Sequence, residues 1–178
     1  MPIALIGGSK VNGSSTIISE YLSSSPLPWP GYADEDALRW LDWCDSHLAV
    51  RIYPALTKDF SSSLQAFSYL DAVPTFTPFE KASAKYVGAL AMVMASGKIA
   101  KKYNITDVDL SLLEAAQTWE EQLQPFQGGD EPSVADVGVY GVFKGLENAK
   151  GEWFDKVMGV GNVGEWYGRM GEIVGEIK

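Results

Sequence analysis

Residues 132 to 143 read Pro-Ser-Val-Ala-Asp-Val-Gly-Val-Tyr-Gly-Val-Phe, and this stretch restricts the fold more than any other. Ser133-Val-Ala-Asp136 has the spacing of a capping box. The serine accepts from the third helical N–H and the acid reaches back to the serine N–H. Pro132 before the box and Val137 after it form the arrangement of a hydrophobic staple. Val137 to Phe143 is apolar on every side, so the spacing predicts a central helix buried all round. Such a helix cannot leave its first N–H groups to water and has to carry its own cap. Ser133 and Asp136 are therefore read as a structural cap, and Asp136 not as a catalytic acid. Gly138, Gly141 and Gly145 each lower helix propensity by about 1 kcal/mol relative to alanine. They are expected to admit close approach of neighbouring helices.

The chain from Asp34 to Lys178 reads as all-helical around that core helix. Asp34-Glu35-Asp36 places acids where a helix dipole favours them. Trp40, Leu41, Cys44, Leu48 and Ile52 then recur at helical spacing until Pro54. Further helices are expected near 60–72, 79–103, 107–124, 133–147 and 163–177. The apolar run from Tyr86 to Ala95 falls short of the roughly 18–20 residues of a membrane span and reads as a buried core helix. Lys98, Lys101 and Lys102 give that helix a basic end. Favourable C-terminal charge accounts for it. The other reading is contact with phosphate or a membrane surface, which would make membrane association peripheral.

The first 22 residues have a different pattern. Pro2-Ile-Ala-Leu-Ile is a strand, Gly7-Gly8-Ser9-Lys10 a tight turn, and Val11 starts a second short strand. Asn12-Gly13 turns again, and Ser14 or Ser15 caps a helix with its apolar stripe at Ile17, Ile18, Tyr21 and Leu22. No Gly-Lys-Ser/Thr follows Gly7-Gly8, so these glycines are a hairpin turn and not a phosphate loop. Residues 23–33 hold three serines, three prolines and a glycine, a semi-rigid linker by composition. The expected organisation is mainly α: a ββα unit over 1–22, a linker over 23–33 and a helical domain over 34–178.

A unit of two strands and one helix does not make a stable layer alone. It leaves a strand edge unpaired and an apolar face of Ile3, Leu5, Ile17 and Ile18 bare. A preceding piece of chain, a second copy or another protein has to cover it. The formal net charge of −9 argues against a nucleic-acid partner, which requires a basic face to displace counterions. The one cysteine, Cys44, excludes an intrachain disulfide framework. The N-terminus lacks the basic start and apolar stretch of a signal peptide. The chain is therefore expected inside the cell, in the cytoplasm or an organelle interior. Cys44 lies on an apolar helical stripe and reads as a small buried hydrophobe. Trp40 and Trp43 read as core and interface anchors, and His47 as a helix histidine without the partners of a catalytic or metal constellation.

Gly-Gly, then Pro-Ser-x-Ala-Asp, then an apolar helix resembles the core signature of the glutathione transferase C-terminal helical domain. Trp40-Leu-Asp-Trp43, His47-Leu and Tyr53-Pro54 resemble the first long helix of the type 2 membrane-associated prostaglandin E synthase family. Ala84-Lys-Tyr-Val-Gly-Ala-Leu-Ala-Met92, Val134-Ala-Asp-Val-Gly-Val-Tyr-Gly-Val142 and Trp166-Tyr-Gly-Arg169 are similar to that family too. The resemblance implies that residues 1–22 are the second half of a thioredoxin-like domain. It implies glutathione as the cofactor, with Met1-Pro2 at the family's cis-proline and Ser14, then Ser15, at the γ-glutamyl carboxylate. It also implies a ligand or interface region around His47, Tyr53 and Trp40. Two departures stand out. Gly13 occupies the place of the family's acid before the serines, and no Cys-x-x-Cys occurs in these residues. The chain by itself is then expected not to be catalytic. It is read as a structural or docking subunit of a larger assembly, or alternatively as the C-terminal part of a glutathione-dependent isomerase or transferase whose thiol segment lies upstream or on another chain.

Overall fold

The computed structural model describes residues 3–24, 26–27, 29, 31–57, 60–148 and 152–176, with the side chains of residues 15, 24, 62, 66, 109 and 176 outside that description. The chain opens with an antiparallel hairpin of β1 (Ile3–Ile6) and β2 (Ser9–Asn12), in the register Ile3↔Asn12 to Ile6↔Ser9. Gly7 and Gly8 take φ of 57° and 84°, the left-handed backbone that a two-residue hairpin turn requires. The turn is thus tighter than expected, and Ser9 and Lys10 already belong to β2. Helix α1 (Ser14–Ser24) packs against the hairpin. Ala4, Ile6 and Val11 are half-buried, while Ile3 and Leu5 on the opposite face are 58% and 77% exposed.

The apolar face expected to be bare is only partly so. Ile18 and Leu22 of α1 pack on a small cluster of Ala37, Leu41 and Val134 in the helical body, and Ile17 is half-buried. The Tyr32 carbonyl accepts from Val134 N at 2.8 Å. The segment between the two parts is thereby pinned to the start of the central helix.

The body begins with α2 (Glu35–Trp43), whose first turn is capped by the Asp34 carboxylate accepting from Ala37 N at 2.8 Å. It runs through a π-helical turn, Cys44–Leu48, into α3 (Ala49–Leu56) without a break in backbone conformation. The helix passes Pro54, where the sequence pointed to a stop, and ends at Leu56. Then follow α4 (Phe60–Ala66), a 3₁₀ turn (Ser68–Ala72), α5 (Pro78–Lys102), α6 (Val108–Glu120), α7 (Val134–Asn148), α8 (Trp153–Met158) and α9 (Val163–Glu176). Helix α8 has six residues, too few to show a period of 3.6, and escapes sequence reading for that reason.

Helix α7 holds the centre, with Ala135, Val139, Phe143 and Leu146 inaccessible. It is not buried all round, however. Val137 is 44% exposed and Gly141 faces out. Of its glycines, Gly138 is the one that admits a neighbour: a Cβ there would stand 2.7 Å from Leu41 Cδ1 of α2. Open space surrounds Gly141 and Gly145. An indole cluster of Trp40, Trp43, Trp119 and Trp166 continues the core from α2 to α9, with ring centroids 5.1–6.4 Å apart. That spacing suits edge-to-face and offset stacking.

The expectation of a buried core helix fails at α5. Phe79, Tyr86, Val87, Leu90 and Met94 are exposed, whereas Ala89 and Ser96 are buried. The helix docks by its small residues. Gly88 lies over the Phe67 ring so closely that a Cβ would come within 2.9 Å of Cζ. Five of its large apolar side chains are therefore turned outward, while Met92, Val93 and Ile99 are half-buried.

The predicted cap of α7 is present and wider than a capping box. Asp136, inaccessible to solvent, accepts at Oδ2 from Ser133 N (2.7 Å) and at Oδ1 from Gln127 N (3.1 Å) and Trp166 Nε1 (2.8 Å). The Ser133 hydroxyl accepts from Ala135 N and Asp136 N, and lies 2.6 Å from Gln127 Oε1 and 2.9 Å from Asp136 Oδ2. A buried carboxylate is tolerated only when its lone pairs are satisfied. Each donor stranded in the interior costs about 1–3 kcal/mol. Asp136→Ala strands three, so urea unfolding should show a loss of about 3–5 kcal/mol. A loss below about 1 kcal/mol would refute this account of the network.

Candidate functional site

The site is built where α1 meets the long α2–α3 rod. Gly13 has φ of 94° and its carbonyl accepts from Ile17 N at 3.0 Å. It therefore stands at the N-cap, and Ser14 begins the helix one position later. A φ of that size is strained for residues with a side chain, which accounts physically for a glycine where the resemblance implies an acid. The Ser14 hydroxyl does not cap the helix. It donates to Asp45 Oδ2 at 2.6 Å, a bond across the two parts of the chain.

Asp45 escaped sequence reading. It sits in the π turn Cys44–Leu48, and no residue pattern announces an i→i+5 turn. In structures such turns gather at functional sites. The turn directs Cys44 and Leu48 inward, at 1% and 0% exposure, while Asp45, Ser46 and His47 are left toward the surface. Exposed N–H groups of a helix first turn, the positive end of its dipole, a hydroxyl and a carboxylate thus share one small region. Such a set suits a zwitterion: its carboxylate meets N–H and hydroxyl donors, and its ammonium meets Asp45.

The other expected site residues do not converge. Pro2, and Met1 with it, lie outside the described residues, as does the side chain of Ser15, whose backbone is in the first turn of α1. His47 is exposed, with Nδ1 2.7 Å from Ser46 Oγ and its carbonyl accepting from Arg51 Nη1. Tyr53 is 51% exposed on α3. Trp40 is half-buried in the indole cluster, and its Nε1 finds no acceptor among the described residues. Ser133 and Asp136 lie in the buried cap of α7. Among the described residues no helix is long and apolar enough to cross a membrane.

A largely helical body behind an open ββα hairpin unit, with a capped central helix, is the glutathione-transferase-like arrangement in partial form. Comparison of sequences carries this further. No family model matches the chain. It is 34% identical over 148 residues to prostaglandin E synthase 2 of Mus musculus, covering 81% of this chain and 38% of that protein. To prostaglandin E synthase 2 of Danio rerio it is 34% identical over 140 residues, 76% of this chain and 37% of that protein. The chain is thus homologous to prostaglandin E synthase 2, a glutathione-transferase-like family, over most of its length. It spans less than two fifths of the length of these relatives.

Within these residues the one thiol is sealed. Cys44 belongs to the main core, and burial, with a smaller contribution from Asp45, pushes its pKa up to about 12 from 9.0. The nucleophilic thiolate is therefore scarce at neutral pH. The folded state keeps the proton longer than the unfolded chain does. The stabilisation is whole below pH 9 and is lost as pH rises from about 9 toward 12. Unfolding midpoints should fall over that window in the parent chain and fall less in Cys44→Ala. A thiol reagent such as Ellman's should label Cys44 only on unfolding. Rapid labelling of the native chain at pH 7 would contradict the structure.

Proposed function

We propose that this chain is the ligand-holding part of a glutathione-dependent isomerase or transferase. It is non-catalytic alone and is completed by a thioredoxin-like segment that bears the thiol pair, upstream or on another chain. The observation that carries this reading is the Ser14–Asp45 contact. In the family that the chain resembles, the serines at this place meet the γ-glutamyl end of glutathione. Gly13 removes the nearby acid, and Asp45 returns one from the helical body. The Ser14 hydroxyl exchanges Asp45 for the ligand carboxylate, beside the N–H groups of the first turn of α1. Asp45 then faces the ligand ammonium. Glutathione supplies a thiol when bound; Cys44 does not substitute for it.

The curated relatives are named as prostaglandin E synthases. A compact, apolar, oxygenated lipid is accordingly the acceptor class proposed for the completed site.

One observation favours the second reading, a docking subunit that no longer supports chemistry. Ile3 and Leu5 present an apolar strand face to solvent, and that face fits a protein contact whether or not glutathione binds.

The test joins or mixes the chain with a thioredoxin-like segment carrying Cys-x-x-Cys and measures glutathione binding by calorimetry and thiol transfer by a chromogenic electrophile. The completed protein should bind glutathione. Ser14→Ala and Asp45→Asn should each weaken binding about tenfold or more, the scale of a hydrogen bond to a charged group. If the completed protein folds and glutathione gives no heat, the enzymatic reading falls and the docking reading stands. If Asp45→Asn binds as well as the parent, the role given to Asp45 is wrong.

A further inference from the structure

Gly13 serves the fold by its positive φ, and it also leaves its neighbour open to chemistry. The side-chain amide carbon of an asparagine lies within reach of the next residue's backbone nitrogen, and attack closes a five-membered succinimide ring. A side chain on that next residue hinders the approach, and glycine has none. Asparagine is a thermolabile residue for this reason. The other asparagines of the chain, Asn104, Asn148 and Asn162, precede Ile105, Ala149 and Val163.

A rigid ladder or a bonded amide protects such a pair, and the structure supplies neither at Asn12. The residue is exposed at the last position of β2, in a sheet of two strands. The two-residue turn makes Ile6↔Ser9 a hydrogen-bonded pair. By alternation Ile3↔Asn12 is a non-hydrogen-bonded one, so the ladder does not grip Asn12. Among the described residues nothing bonds its amide. Crowding at Gly13 is slight: a Cβ there would approach only the Thr16 hydroxyl, at 3.6 Å. Gln127-Gly128 is the contrast. Its amide is held at both ends, with Nε2 donating to Asp36 Oδ2 at 2.7 Å and Oε1 2.6 Å from Ser133 Oγ.

We propose that Asn12 is a site of spontaneous deamidation, and that the modification breaks the contact between Ser14 and Asp45. Gly13 N attacks Asn12 Cγ, the bond from Cγ to the amide nitrogen breaks, and ammonia leaves. Water then opens the succinimide at either carbonyl. One opening gives aspartate, the other isoaspartate, in which the main chain runs through the former side chain. One water is consumed and one ammonia released, with no change of oxidation state.

The consequence follows from the connection. Strand β2 ends at Asn12 and α1 begins at Ser14, so Gly13 alone joins them. Isoaspartate lengthens the main chain there by one C–C bond, about 1.5 Å, and no loop absorbs it. A displacement of that size carries Ser14 Oγ out of its 2.6 Å bond to Asp45 Oδ2. It also pulls the Gly13 carbonyl away from Ile17 N, now at 3.0 Å. Either product adds a negative charge before the first turn of α1, where it repels a ligand carboxylate and competes for the same N–H groups. Loss of glutathione rests on the function proposed above; deamidation and the broken contact do not.

The test holds the chain for a week at body temperature and mildly alkaline pH, native and in urea. It follows intact mass, peptide maps and methylation by an isoaspartyl methyltransferase. The native chain should gain one mass unit in the peptide that holds Asn12, isoaspartate being the larger product. Its rate should rise in proportion to hydroxide and stay within about tenfold of the urea-unfolded chain, as an unprotected segment does. Asn12→Gln, which has to close a six-membered ring, should keep its mass. Hydrogen exchange at the Ile17 amide should be about tenfold or more faster in the separated isoaspartyl form than in the fresh chain. Joined to the thioredoxin-like segment, the parent should lose glutathione binding on ageing and Asn12→Gln retain it. A native chain that keeps its mass while the unfolded chain converts overturns the proposal. So does an isoaspartyl form whose Ile17 exchange equals that of the fresh chain. If the fresh completed protein binds no glutathione, the enzymatic reading falls, and mass and exchange still decide this one.

Discussion

The carboxylate of Asp136 holds the molecule together at its centre. It is inaccessible to solvent and accepts N–H donors from its own helix cap, from the loop at Gln127 and from the Trp166 indole of α9. The network does not end there. The Gln127 amide donates to Asp36 Oδ2 at 2.7 Å, at the start of α2. One polar chain, buried at Asp136 and reaching the surface at Asp36, therefore ties α2, α7 and α9 to each other, where apolar packing alone would permit some slip. A buried polar group is costly unless every partner is present, which is why such a network specifies one arrangement more sharply than leucines do.

The ligand region depends on that centre indirectly. Gly138 of α7 lets Leu41 of α2 approach. The same rod then carries the π turn that aims Asp45 at Ser14. On the other side Tyr32 and Ile18 join α1 to the start of α7. Ser14 and Asp45 meet because both of their supports are fastened to one helix. The exposed stripe of α5 lies at the opposite extreme of burial. It docks largely through glycine, alanine and serine, so Phe79, Tyr86, Val87, Leu90 and Met94 are left exposed among the described residues.

Some of this was legible in the chain as written. The capping box at Ser133 and Asp136 is local chemistry, fixed by a spacing of three, and it stands as read. The hairpin glycines, the acids at the start of α2 and the apolar stripe from Leu41 to Ile52 are local as well. The failures share a cause. Whether Tyr86 to Met94 is buried depends on which side of α5 finds a neighbour, and its composition is apolar on both. Val137 was placed in the core for the same reason. Ser14 or Ser15 is the cap on the sequence reading, while Gly13 stands at the N-cap and the Ser14 hydroxyl turns to an acid 31 residues away.

Helix ends, turns and the apolar period follow from the sequence, because hydrogen-bond capping and side-chain periodicity act over three or four residues. Homology to prostaglandin E synthase 2 is legible for the same reason, being carried by short motifs within the helices. The identity of the acid beside Ser14, the face that α5 buries and the joining of loop, cap and indole at Asp136 were decided in three dimensions. Each depends on a contact between residues far apart in the chain, and such contacts are selected by packing and by satisfaction of buried polar groups, neither of which leaves a local mark.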